Sequence, residues 1–83
     1  MTRRSRTEVI VDILTEAHDG ANKTRIMYRA NLNFMRFNQY LSELLENGLL
    51  EENRVNGRVV YKVTQSGKDL LCTLRRAQEF MSV

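Results

Sequence analysis

The stretch from Asn22 to Gly48, NKTRIMYRANLNFMRFNQYLSELLENG, constrains the fold more than any other part of the chain. Ile26, Met27 and Ala30 give its first half an apolar face. Phe37, Tyr40, Leu41, Leu44, Leu45 and Gly48 recur at i, i+3, i+4, i+7 and i+8 in its second half. Asn22 and Asn33 stand where side-chain oxygens cap helix starts, and Gly48 suits the residue just past a helix end. The pattern predicts two short helices, Lys23 to Arg29 and Phe34 to Asn47, with Leu32 in a tight turn between them. From residue 20 to 42 there are four cations (Lys23, Arg25, Arg29 and Arg36) and no acid. A basic helix-turn-helix is the most economical reading.

The flanking residues complete the architecture. Ser5-Arg6-Thr7-Glu8 matches a capping box ahead of an apolar stripe at Val9, Ile10, Ile13, Leu14 and Ala17, which predicts a helix from Arg6 to His18. Glu8, Asp12 and Glu16 recur every four residues and form an acidic ridge on it. Beyond Gly48, Leu49 to Val55 and Arg58 to Val63 read as strands joined by Asn56-Gly57, a pair that tolerates positive φ at both turn positions. A two-residue loop pairs Arg54 with Val59, Glu52 with Tyr61 and Leu50 with Val63. That register puts Leu50, Val59, Tyr61 and Val63 on the core face and Glu51, Asn53, Arg58, Val60 and Lys62 outside.

Thr64 then caps a last helix, Gln65 to Met81. Leu70, Leu74, Ala77 and Met81 are spaced 4, 3 and 4 along it, the rhythm of a helix–helix seam, and Leu71 broadens the stripe. Ala77, Phe80 and Met81 reach past so small a body. They predict a homodimer interface of Leu70, Leu74, Ala77, Phe80 and Met81, with a frayed tail as the alternative.

The predicted order is α-α-α-β-β-α, a winged helix-turn-helix, mainly α with a β-hairpin. It is expected as one domain over 1–83: a basic arm at 1–5, the helix-turn-helix at 22–48, the wing at 49–63 and the C-terminal helix at 65–81. Eighty-three residues support one core. No apolar run approaches the roughly 20 residues of a membrane span, and the basic N-terminus lacks the apolar stretch of a signal peptide. One cysteine excludes a disulfide framework and points to a reducing cytoplasm. Cys72, among Lys68, Arg75 and Arg76, is read as a spectator. His18 has no partner at ligand spacing, so no metal or other cofactor is expected. With no His/Cys/Asp constellation, glycine-rich phosphate loop or paired carboxylates, neither is an enzyme.

Gly20-Ala21-Asn22-Lys23-Thr24, Ile26-Met27-Tyr28, Ala30-Asn31-Leu32, Tyr40-Leu41, Leu44, Gly48-Leu49 and Thr64-x-x-Gly67 resemble the small archaeal winged-helix DNA-binding proteins. The similarity runs from Ser5 to Leu74. It implies a cytoplasmic, nucleoid-associated protein that binds double-stranded DNA as a regulator or chromatin component, often as a dimer through the C-terminal helix. The chain departs from the family at Asn33-Phe34-Met35-Arg36 and Asn38-Gln39, where lysines are common. Its last helix is also short.

The residues themselves suggest where a duplex would lie. With Phe37, Leu41 and Leu44 inward, Met35, Gln39, Ser42 and Glu46 fall opposite, flanked by Arg36, Asn38 and Glu43. Arg36, Asn38 and Gln39 suit base edges and Met35 a thymine methyl, whereas Glu43 and Glu46 repel phosphate. The helix is therefore expected to enter the major groove by its N-terminal end, with Asn33 at its head. Phe34 is expected to pack toward the core. Lys23, Thr24, Arg25 and Arg29 are expected on phosphates, and Arg54, Asn56 and Arg58 of the wing on backbone or minor groove. Arg3, Arg4 and Arg6 of the arm are expected to do likewise if they lie near DNA. The competing readings are an architectural DNA binder and a protein-binding winged helix using Phe34 and Met35. RNA has little basis, since neither a stacking sheet nor a GXXG loop is present.

Overall fold

The computed structural model describes residues 4–81. Its elements follow the predicted order: α1 (Arg6–Glu16), α2 (Lys23–Ala30), α3 (Phe34–Glu46), β1 (Leu50–Val55), β2 (Arg58–Val63) and α4 (Gln65–Met81). Each helix start has its local cause. The Ser5 hydroxyl accepts from the Glu8 amide at 3.1 Å, and the Glu8 carboxylate answers the Ser5 amide, closing the capping box. Asn22 and Asn33 accept from the amides of Arg25 and Arg36, each at 2.8 Å. Thr64 Oγ1 accepts from the Gly67 amide at 3.1 Å while donating to the Gly48 carbonyl at 2.6 Å.

The ends are equally local. Asn31 takes the left-handed conformation (φ 54°) after α2. Gly48 (φ 69°) closes α3, with its amide on Leu45 O and the Leu49 amide on Leu44 O, a Schellman closure. Those last bonds hold Leu49 outside the strand, so β1 starts at Leu50, one residue later than expected. The hairpin turns at Asn56 (φ 53°) and Gly57 (φ 78°), and the register pairs Leu50 with Val63, Glu52 with Tyr61 and Arg54 with Val59, as the alternation required.

Ile13, Leu14, Ile26 and Phe37 are the fully buried centre, so the three N-terminal helices meet on one core. Leu50, Tyr61, Val63 and Leu71 bring the hairpin and α4 onto it. α1 stops at Glu16, short of the expected His18, because the chain turns there to meet the sheet. The Val63 amide donates to Ala17 O at 3.3 Å, and Ala21 and Tyr61 exchange both backbone bonds at 3.0 and 2.8 Å. That one-residue bridge ties the loop before α2 to the root of the wing. α4 lies close against the same root. A Cβ at Gly67 would sit 2.1 Å from Leu49 O and 2.6 Å from Val63 Cγ1, so only glycine fits.

Candidate nucleic-acid interface

Three residues, Asn31 to Asn33, separate α2 from α3. Left-handed Asn31 reverses the chain, half-buried Leu32 packs against the core, and Asn33 caps the next helix. This fixes the head of α3 beside the start of α2. With Phe37, Tyr40, Leu41 and Leu44 inward, α3 leaves Met35, Arg36, Gln39, Ser42 and Glu46 exposed and Asn38 half-buried. Met35 is 71% exposed. Arg36 borders a shallow depression with Asn31 and Leu32.

Phe34 departs from expectation. It is 62% exposed rather than packed inward. Phe37, three residues further along, takes the buried position on this helix, and the Lys23 ammonium lies over the Phe34 ring, 5.1 Å from its centroid. This contact joins the first residue of α2 to the first residue of α3.

Eight of the thirteen cations, the described ones of the N-terminal arm, α2, α3 and the hairpin turn, divide into two groups. On the side of α1, each meets a carboxylate. Arg4 pairs with Asp12 and also donates to the Ala30 carbonyl at the end of α2. Arg6 pairs with Glu43 and lies over the Tyr40 ring at 5.5 Å. Arg25 Nε is 2.5 Å from Glu16 Oε2, and Arg29 Nε is 3.9 Å from Glu16 Oε1. Lys23, Arg36, Arg54 and Arg58, by contrast, form no ion pair among the described residues. Of the acidic ridge on α1, Asp12 and Glu16 are thus engaged by arginines, while Glu8 closes the helix cap. Arg4 and Arg6 of the expected arm fold back onto the body, while Arg3 lies outside the described residues. On the wing, Arg54, Asn56 and Arg58 are all exposed around the turn.

Comparison with known proteins agrees with this geometry. A family model described as winged helix-turn-helix matches residues 3–82. An uncharacterized protein of Methanocaldococcus jannaschii is 37% identical over 81 residues, covering 96% of this chain and 79% of the relative. The chain belongs to the winged helix-turn-helix family. The crystal structure of Sso10a-2, a DNA-binding protein from Sulfolobus solfataricus, superposes with a TM-score of 0.85 at 28% identity, over 95% of this chain and 83% of that one. SSV1 F-93 shares the fold, with a TM-score of 0.75 at 20% identity over 98% and 94% of the two chains.

Elsewhere on this winged helix, α4 buries Gly67 and Leu71 and half-buries Leu70 and Leu74, leaving Ala77 exposed. Phe80 and Met81 are 83% and 80% exposed. Cys72 is a free, exposed thiol. Burial, and after it the charge and hydrogen bond of Glu52 across the hairpin, hold the Tyr61 hydroxyl above the ordinary tyrosine range. Among the described residues no group of His, Cys, Asp and Glu is arranged to hold a metal ion, and no helix is long and apolar enough to cross a membrane. The Glu16 bridge was not legible in the sequence. An acid on one helix and two arginines on the next carry no spacing rule that announces their contact.

Proposed function

We propose that this protein binds double-stranded DNA and acts as a transcriptional regulator, with the head of α3 entering the major groove. The observation that carries the reading is the sorting of charge: among the described residues, Lys23 and Arg36 at the α2–α3 junction and Arg54 and Arg58 on the wing have no carboxylate partner. Unneutralised cations release counterions from DNA, whereas paired ones contribute less. In this reading Asn33, Met35, Arg36, Asn38, Gln39 and Ser42 face the base edges, and Lys23 and Thr24 meet the backbone. Arg54, Asn56 and Arg58 reach an adjacent stretch, while Arg25 and Arg29 border the interface under the hold of Glu16. The DNA-binding description of Sso10a-2, the neighbour at 28% identity, supports the same role.

In a mobility-shift titration the protein should bind a random-sequence duplex at low salt and weaken steeply as salt rises. Selection from a random pool should return a defined motif. Salt-insensitive or absent duplex binding sinks the reading, and binding without a motif favours an architectural role. We propose that the protein binds DNA without catalysis or a cofactor, in the cytoplasm with the nucleoid. We divide the single domain into an N-terminal arm (1–5), the helix-turn-helix (22–48), the wing (49–63) and the C-terminal helix (65–81). Through that last helix we propose a homodimer, using Leu70, Leu74, Ala77, Phe80 and Met81. The exposure of Phe80 and Met81 at the end of the seam supports it. Sedimentation of wild type and Phe80→Asp should give two copies and one.

A further inference from the structure

We infer that Glu16 sets the strength of duplex binding by holding two arginines of α2 in check, an inference that rests on the DNA-binding reading above. Arg25 and Arg29 stand one helical turn apart on the edge of α2 that faces α1. A single carboxylate spans both, with Oε2 2.5 Å from Arg25 Nε and Oε1 3.9 Å from Arg29 Nε. The Glu16 side chain is 17% exposed, against 65% and 63% for the arginines. The anion is therefore pinned in the α1–α2 seam while its counter-charges lie outside. Together with Tyr28 and Asn31 the three side chains line a shallow depression on the outer surface of α2.

This arrangement has an electrostatic consequence. DNA affinity grows with each phosphate that a protein cation neutralises. A guanidinium already facing a carboxylate delivers little of that gain, because an approaching phosphate competes with Glu16 and meets its negative charge at short range. Two like charges four residues apart on a helix also repel each other, and Glu16 relieves that repulsion. Glu16 thus steadies α2 at the expense of its pull on a polyanion. Glutamine at this position keeps the size and an acceptor for Arg25 Nε but removes the charge.

The test is duplex affinity against salt concentration for wild type, Glu16→Gln, Asp19→Asn and the triple variant Glu16→Gln/Arg25→Gln/Arg29→Gln. Asp19 is the control. Its side chain is 97% exposed and lies beside His18, it pairs with no arginine among the described residues, and its substitution adds the same charge. Glu16→Gln should bind roughly five- to tenfold tighter at low salt and steepen the log–log salt slope by about one to two, since each neutralised phosphate contributes about 0.9. Asp19→Asn should change affinity by less than about twofold, and the triple variant should lose the gain. Equal or weaker binding by Glu16→Gln overturns the inference, as does an equal gain from Asp19→Asn or a gain that survives in the triple variant. Should Glu16→Gln fail to fold, Arg25→Gln/Arg29→Gln decides: a loss above about thirtyfold means that these arginines were never held back, and a loss below about tenfold supports the inference. Wild-type protein that binds no duplex at all removes the DNA reading, and the inference with it.

Discussion

The α1 flank and the α2–α3 head are built from the same residue types but use them oppositely. On the flank, Arg4, Arg6, Arg25 and Arg29 each lie against a carboxylate. At the head, Lys23 finds only the Phe34 ring, and Arg36 finds no acid among the described residues. A cation's residue type does not reveal its job. What separates fold-holding arginines from those available to a polyanion is the presence of a nearby acid on a neighbouring helix. A modest net charge of +3 can therefore conceal a markedly basic surface.

The sharpest way to break this contrast is to strip each group in turn. Lys23→Ala/Arg36→Ala should weaken duplex binding by roughly thirty- to a hundredfold and flatten the salt slope by about one to two. Arg25→Ala/Arg29→Ala should cost less, no more than about tenfold in the same titration, because the single charge of Glu16 already offsets one of the two. Comparable losses from the two pairs would erase the distinction. The converse should appear in stability. Arg6→Ala, which gives up the Glu43 pair and the Tyr40 ring, should cost about 0.5–1 kcal/mol in urea denaturation. Arg36→Ala should leave the midpoint within about 0.5 kcal/mol of wild type.

The smallest effect concerns Tyr61, whose neutral form the fold favours by burial first and Glu52 second. Its hydroxyl titrates higher in the folded protein than in the unfolded chain. The associated stability is fully present below the ordinary tyrosine value of about 10 and is lost as pH rises through the folded value. Tyr61→Phe should remove that alkaline loss, and Glu52→Gln should shrink it. An unchanged stability profile above about pH 10 in Tyr61→Phe would show that Tyr61 plays no part in it.

What could be read from the sequence follows the range of the forces involved. Asn22, Asn33 and Thr64 cap helices through bonds three residues long, and Asn56-Gly57 fixes its own turn, so these were legible. The hairpin register followed from alternation. The Ala21–Tyr61 bridge leaves no trace in the sequence, since one residue carries no period. Phe34 reads as inward-facing because its position borders the apolar stripe, yet it is exposed and Phe37 is the one buried. Of the expected interface, the exposure of Met35, Arg36, Gln39, Ser42, Arg54, Asn56 and Arg58 was legible from helix and hairpin periodicity. The engagement of Arg25 and Arg29 by Glu16 was not, because it depends on how α1 crosses α2.

Gly67 leaves no room for even a methyl group between α4 and the carbonyl of Leu49. The start of the last helix is therefore seated directly on the root of the wing, and its far end leaves the body as a spoke. If two protomers join along that spoke, the distance between their wings becomes a fixed ruler. Half-site spacing on DNA would then be set by where the spokes meet, and the protein would choose among operators by length as well as by letter.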